Sequence, residues 1–158
     1  MSDQAGHTAV TEFLEREGVR YEVVEHERTQ TAAAEARAAG MPPTDVAKTV
    51  VLRDEEGVRL AVVPSSERLD MHKVKLELGS KGLRLVTERE MAEEFDGFEI
   101  GAVPPFGPMF QALELVDQRL LDHDRILCCG GDHEHGVLVD PNDVVQAGRA
   151  RVADICED

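Results

Sequence analysis

Lys48 stands just ahead of the apolar run Val50-Val51-Leu52, and it is one of four lysines in a chain whose other cations, apart from the histidines, are arginines. Taken alone, a lysine at the start of a strand is a solvated end, so its chemistry depends on what the fold brings to it. About fifty residues on, Asp96 to Phe110 (DGFEIGAVPPFGPMF) is too dense in Gly and Pro for regular structure. A loop of that length in a compact domain is usually a binding loop or a disordered one, and Phe98, Ile100, Val103, Phe106, Met109 and Phe110 argue against disorder. Phe106 and Phe110 suit a core plug as well as a substrate contact. A third group, His123, Cys128, Cys129, His133 and His135, has the side chains of a metal site, with His133 and His135 placed on one side of a strand. It lacks the C-x-x-C or H-x-x-x-H spacing of structural zinc, and adjacent cysteines on a strand point to opposite faces. The expectation is therefore solvated histidines, buried thiols and no metal, with Asp122-His123-Asp124 as a polar loop.

These groups need elements to position them. Ala47 to Pro64 (AKTVVLRDEEGVRLAVVP) reads as a β-hairpin, two branched apolar runs around a polar Arg53–Gly57 turn closed by a Gly that can take positive φ. Before it, Val10, Phe13 and Leu14 mark an amphipathic helix stopped by Gly18. Val19 to Glu25 alternates as a half-buried strand, with Val19, Tyr21 and Val23 on one side. Thr29 to Ala39 is an alanine-rich helix capped by Thr29 or Thr31 and ended by Gly40. After the hairpin, Asp70 caps a helix that Gly79 ends, Leu83–Val86 is a short strand, and Thr87 and Glu90 form a capping box for a helix reaching Phe95. Strands follow at 111–116, 125–129 and 136–139, with a turn at Gly130-Gly131-Asp132. A helix opens at Pro141, and 151–155 closes the sequence. This mixture predicts one α+β domain over residues 1–158 rather than a regular βαβ alternation.

The chain is long enough to bury roughly 70% of its surface without disulfides. Three cysteines make no disulfide framework, and the first residues show no basic region followed by an apolar run, which together point to the cytoplasm. No stretch approaches the ~20 apolar residues of a membrane span. The formal charge is -15, from 32 acidic and 17 basic residues. Such a surface repels nucleic acid at low salt, which argues against DNA as a partner. A second explanation is a cytoplasm salty enough to screen the field, since the Debye length falls to roughly 3 Å at 1 M.

Three pieces now fall into an order: Ala47-Lys48-Thr49 opening the hairpin, the Gly101–Pro105 segment (Gly-x-x-x-Pro) with Phe106-Gly107 behind it, and Gly130-Gly131 ahead of a strand and the Asp140-Pro141 helix start. Together they resemble the YbaK/ProX family of trans-acting editing domains, relatives of the insertion domain of bacterial prolyl-tRNA synthetase, over about residues 20–155. The resemblance implies a curved, largely antiparallel sheet with flanking helices. It also implies substrate-assisted hydrolysis of misacylated tRNA, in which a ribose hydroxyl and an ordered water share the work and no cofactor is needed. On this reading Lys48 and Gly101 are the catalytic pair, the ammonium holding a phosphate or ribose of the terminal nucleotide and the glycine letting backbone groups approach the ester. The substrate pocket then draws on His26, Met41, Thr49, Val50, Ala102, Val103, Pro104, Pro105, Phe106, Gly107, Gly130, Gly131 and His133. The implied partners are the acceptor end of a misacylated tRNA and prolyl-tRNA synthetase, with a small residue, Cys or Ala, on tRNA(Pro) as substrate. The alternative is a non-catalytic relative that binds aminoacyl-tRNA or a synthetase. Asp132-His133-Glu134-His135 departs from the small or apolar continuation common in the family, and Lys48, Arg53, Lys73, Lys75 and Lys81 are left to supply a positive patch.

Overall fold

A computed structural model describes residues 5–99 and 101–158; Met1 to Gln4 and the loop residue Ile100 lie outside the described residues. Helix α1 (Ala5–Arg16) buries Val10, Phe13 and Leu14. The hairpin forms as β2 (Ala47–Asp54) and β3 (Gly57–Pro64), paired from Ala47↔Pro64 to Asp54↔Gly57. The strands run further into the turn than the apolar runs indicate because Asp54 closes it with its side chain. One Asp54 oxygen accepts from the N–H groups of Glu56 and Gly57 at 2.9 and 3.2 Å, and the other takes Arg59 Nε at 3.0 Å.

Around this hairpin lie β4 (Arg84–Leu85), β5 (Leu113–Asp117) and β8 (Arg151–Ala153), in the order β4-β2-β3-β5-β8. The β3–β5 and β5–β8 pairs are parallel. A second sheet joins β1 (Tyr21–Glu25), β7 (His135–Val139) and β6 (Ile126–Asp132), all antiparallel. The protein is thus α+β with mostly antiparallel pairing, and its strands divide over two sheets that meet at a single parallel bridge, Val46↔Leu127.

Strand β3 is buried on both faces, as period 2 requires of a central strand. Val62 joins Val10, Phe13, Phe106, Ile126 and Val137 in the core beneath α1, while Ala61 and Val63 join Leu52, Val74 and Ile155 under α3 (Met71–Leu78) on the far side. Leu60 packs instead with Met91, Phe95 and Val103 beside α4 (Glu88–Glu94). Helix α2 (Ala32–Ala39) is capped by Thr31, whose side chain accepts from Ala34 N–H, and ends on left-handed Gly40. Helix α5 (Pro141–Gly148) follows β7.

Two local expectations change. In β1, Val24 rather than Val23 turns inward, packing near Ala36, Val46 and Leu127 while Val23 is exposed. Strand β6 continues through Gly130-Gly131 to Asp132, so His133 lies in the turn of a hairpin and His135 opens β7, rather than the two sharing one strand. An irregularity between Cys129 and Asp132 absorbs the glycines, and Asp132 closes the turn by accepting from Glu134 and His135 N–H, both at 2.9 Å. Glycine is needed here. A Cβ on Gly131 would lie 2.4 Å from the backbone of Gly6, so α1 rests directly on this turn.

Candidate functional site

The edge of β2 away from β3 meets β4 only at Leu52 and Arg53, and β6 bridges the chain just before β2, at Val46. Between these points lies a cavity of about 360 Å³. Strand β2 gives it Lys48, Thr49, Val50 and Val51; the loop gives Gly101 and Val103; α2 and its cap give Thr31 and Ala32; β4, Val86 and α4 close it with Leu85, Val86 and Met91; and Cys129 of β6 completes it. Among the described residues of the lining Lys48 alone is charged. Its Nζ donates to the Glu67 carbonyl at 3.2 Å, in the turn after β3, so the ammonium is held across the hairpin's open end.

Gly101 has φ +85°, in the left-handed half of backbone space. A Cβ there would meet only His133 Cε1 at 3.7 Å and the Gln30 carbonyl at 3.9 Å, both ordinary contacts, so conformation rather than space calls for glycine. The loop is tied down on each side of this residue. Glu99 pairs with Arg28 and accepts from His133 N–H at 2.9 Å. Burial works to raise the Glu99 pKa, but these donors outweigh it and hold the carboxyl below its usual range. Beyond Gly101, Gly107 N–H donates to the buried Glu114 at 2.7 Å.

Behind Gly101 is a small polar chamber of about 10 Å³, lined by His26, Glu35, Asp132 and His133 among others. His26 Nε2 lies 3.0 Å from Glu35 Oε2, with both side chains almost wholly buried. Burial raises the Glu35 pKa, and the hydrogen bond with His26 offsets only part of that rise. Thr31, Ala32, Gly101 and Cys129 line both the chamber and the larger cavity. Burial, with Glu35 beside it, also pushes the Cys129 pKa up, so this residue rests as a thiol.

The structure therefore brings Lys48, Thr49, Val50, Gly101 and Val103 to one cavity, and His26 and His133 to the chamber next to it. The other sequence-derived candidates lie elsewhere. Phe106 is fully buried against Phe13, ring centroids 5.5 Å apart, and acts as a core plug. Ala102, Pro104, Pro105 and Gly107 are buried in the body of the loop, and Met41 packs with Ala36, Val46 and Leu127. Gly130 and Gly131 serve the contact with α1, where His7 Nδ1 lies 2.8 Å from the Gly130 carbonyl. His135 stacks on His7 and meets Asp132 at 2.9 Å, His123 pairs with Asp45, and Cys128 is in the core. Of the five expected cations, only Lys48 reaches the cavity. Arg53 is engaged by Glu90 and Glu94, Lys73 by Asp154 and Asp158, and Lys75 and Lys81 are exposed.

Residues 26–147 match the family described as the aminoacyl-tRNA editing domain. The chain belongs to that family. The editing domain superimposes on a solved structure described as a candidate trans-editing enzyme for prolyl-tRNA synthetase, with TM-score 0.87 and 31% identity over 97% of this chain and 98% of that one. A scaffold protein from work on epitope backbone grafting by computational design gives TM-score 0.85 and 27% identity over 97% of each chain. A 78-residue stretch, 49% of the editing domain, is 31% identical to proline–tRNA ligase of Thermosipho africanus (strain TCF52B), of which it covers 14%. The editing domain thus spans a small part of that synthetase's length. The family is one of aminoacyl-tRNA editing. Sequence reasoning missed Thr31, Ala32, Val51, Leu85, Val86, Met91 and Cys129 as lining residues. The Thr31 cap and the Cys128-Cys129 alternation were both readable, but neither says which cavity the side chain meets.

Proposed function

We propose that this chain acts in trans to hydrolyse the ester of misacylated tRNA(Pro), releasing a small residue, Cys or Ala. The observation that carries the reading is that Lys48 and Gly101, about fifty residues apart in sequence, line one cavity whose remaining surface is uncharged. The ammonium is placed to hold a phosphate or ribose oxygen of the terminal nucleotide. On this reading the glycine backbone lies beside the ester, where peptide groups can orient the carbonyl or a water. Among the described lining residues Thr31, Thr49 and Cys129 carry a hydroxyl or thiol, and the carboxylate that meets Cys129, Glu35, lies in the chamber behind and is paired with His26 rather than lining the cavity. That composition supports substrate-assisted hydrolysis, with the ribose hydroxyl and a water as reacting groups. Apolar walls from Val50, Val51, Met91 and Val103 suit an uncharged side chain. Prolyl-tRNA synthetase is the further partner of this reading.

The test is release of amino acid from tRNA(Pro) carrying Ala, Cys or Pro, at low and molar KCl, beside Lys48→Ala. The expected result is release of Ala or Cys with Pro spared, and a loss of about 10²-fold in the variant, the scale of removing one transition-state contact. A Lys48→Ala protein with full activity removes Lys48 from the mechanism. A wild type that binds charged tRNA without hydrolysing it overturns the proposal in favour of a binding relative.

A further inference from the structure

Cys129 lies on the wall shared by the cavity and the chamber, with its Sγ 3.8 Å from the Gly101 carbonyl oxygen and 3.9 Å from Glu35 Oε1. One S–H faces two acceptors. Behind it, the His26–Glu35 pair fixes which atoms can accept. His26 Nδ1 sits 2.8 Å from the Glu27 carbonyl, which only accepts, so Nδ1 carries a hydrogen. Nε2 and Glu35 Oε2, 3.0 Å apart, then share a single proton. Wherever that proton sits, Glu35 Oε1 is left as an acceptor, so it shares the one S–H with the Gly101 carbonyl.

The Gly101 carbonyl belongs to the same peptide unit as the Ala102 N–H, and that N–H donates to the Glu99 carbonyl at 3.0 Å. The peptide is therefore tied at its nitrogen by Glu99 and, whenever the S–H points to it rather than to Glu35, at its oxygen by Cys129. A carbonyl oxygen has two lone pairs, so a bond from the thiol still leaves one free. Because Gly101 has φ +85°, where glycine is free to rotate and other residues are not, such external restraints are what orient the peptide.

We propose that Cys129 is a positioning residue whose S–H, shared between Glu35 and the Gly101 carbonyl, restrains the Gly101–Ala102 peptide at the reaction centre. The proposal rests on the reading of the cavity as the deacylation site. It predicts that losing the S–H at position 129 loosens this peptide.

The experiment compares wild type, Cys129→Ala, Cys129→Ser and Lys48→Ala by deacylation kinetics, and the first three also by amide hydrogen exchange at Ala102. Cys129→Ala is expected to lower kcat by about three- to tenfold, the worth of one modest hydrogen bond, with KM unchanged. Exchange at Ala102 rises by a similar factor. Cys129→Ser, whose hydroxyl stands further back than the sulfur from an oxygen already 3.8 Å away, is expected to recover only part of the loss in both readouts. Wild-type kcat together with wild-type exchange at Ala102 in Cys129→Ala overturns the proposal. If wild type and Lys48→Ala are both inactive, the deacylase reading fails, and the exchange at Ala102 alone decides whether Cys129 pins the peptide.

Discussion

Glu114 shows how one residue far from the cavity bears on the loop that forms it. Its side chain is fully buried on β5, Oε1 accepts from Gly107 N–H at 2.7 Å, and Oε2 has no hydrogen-bond partner among the described residues. A Cβ on Gly148 would lie 2.6 Å from Oε2, so α5 packs against that oxygen. An ionised carboxylate in such a place bears the full cost of lost hydration, and burial accordingly raises the Glu114 pKa well above its usual value despite the Gly107 donor. The folded protein then binds a proton that the unfolded chain has released, so stability falls as pH rises above the unfolded value of about 4.5. The slope approaches about 1.4 kcal/mol per pH unit until the folded carboxyl itself ionises. Glu114→Gln lacks this group and is expected to gain on the wild type as pH rises from 5 to 8 in urea unfolding. Parallel pH profiles for the two proteins would refute a proton held on Glu114. Gly107 closes the segment that starts at Gly101, so the same variant also asks whether this anchor steadies the loop.

At the scale of an element, α4 brings Met91 to the cavity and is specified almost entirely by local chemistry. Thr87 Oγ1 accepts from Glu90 N–H at 3.1 Å while Glu90 Oε1 accepts from Thr87 N–H at 3.0 Å, which completes the capping box. Arg84 reaches the two Glu90 oxygens at 2.8 and 2.9 Å, and Arg53 approaches at 3.4 Å. Arg84 and the Thr87 N–H hold the Glu90 pKa down to about 2, so the box persists through mild acid. Thr87→Ala is expected to cost about 1 kcal/mol, seen as a lower urea midpoint with an unchanged m-value; a shift within error would mean that tertiary packing of Met91 and Phe95 carries the helix without its cap. Caps of this kind were legible in the sequence, as were Asp70, Gly79 and Gly40, because each acts within four residues. Strand partners were not. The parallel pairing of β3 with β5 joins residues more than fifty apart, and nothing in LELVD names GVRLAVVP as its neighbour. The site was legible to the same extent: Lys48 and Gly101 stand out by type, whereas Cys129 and Glu35 become neighbours of Gly101 only through the bridge of β6 to Val46 and the packing of α2.

Over the whole molecule, the decisive quantity is the net charge of -15. Many of its cations are already matched to acids, Arg119 with Asp117 and Asp154, Arg151 with Glu77, Arg125 with Glu22, so the excess of carboxylates faces solvent without compensation. Two effects of salt oppose each other. Screening weakens these surface pairs, but each contributes about 0–1 kcal/mol at most. Screening also relieves the mutual repulsion of the unmatched acids, a term that grows with net charge and acts against the compact state. With the Debye length falling from about 10 Å at 0.1 M to about 3 Å at 1 M, relief of repulsion outweighs the loss of pairs. The melting temperature is therefore expected to rise between dilute buffer and molar KCl, and a gain of about 2 kcal/mol would appear as roughly 4–8 °C for a chain of this size. The same field opposes approach of a polyanion, so kcat/KM on charged tRNA is expected to rise with KCl over that range, opposite in sign to the usual salt dependence of nucleic-acid binding. A melting temperature that is flat or falls with KCl would show that the ion pairs, and not the net charge, set the stability of this protein.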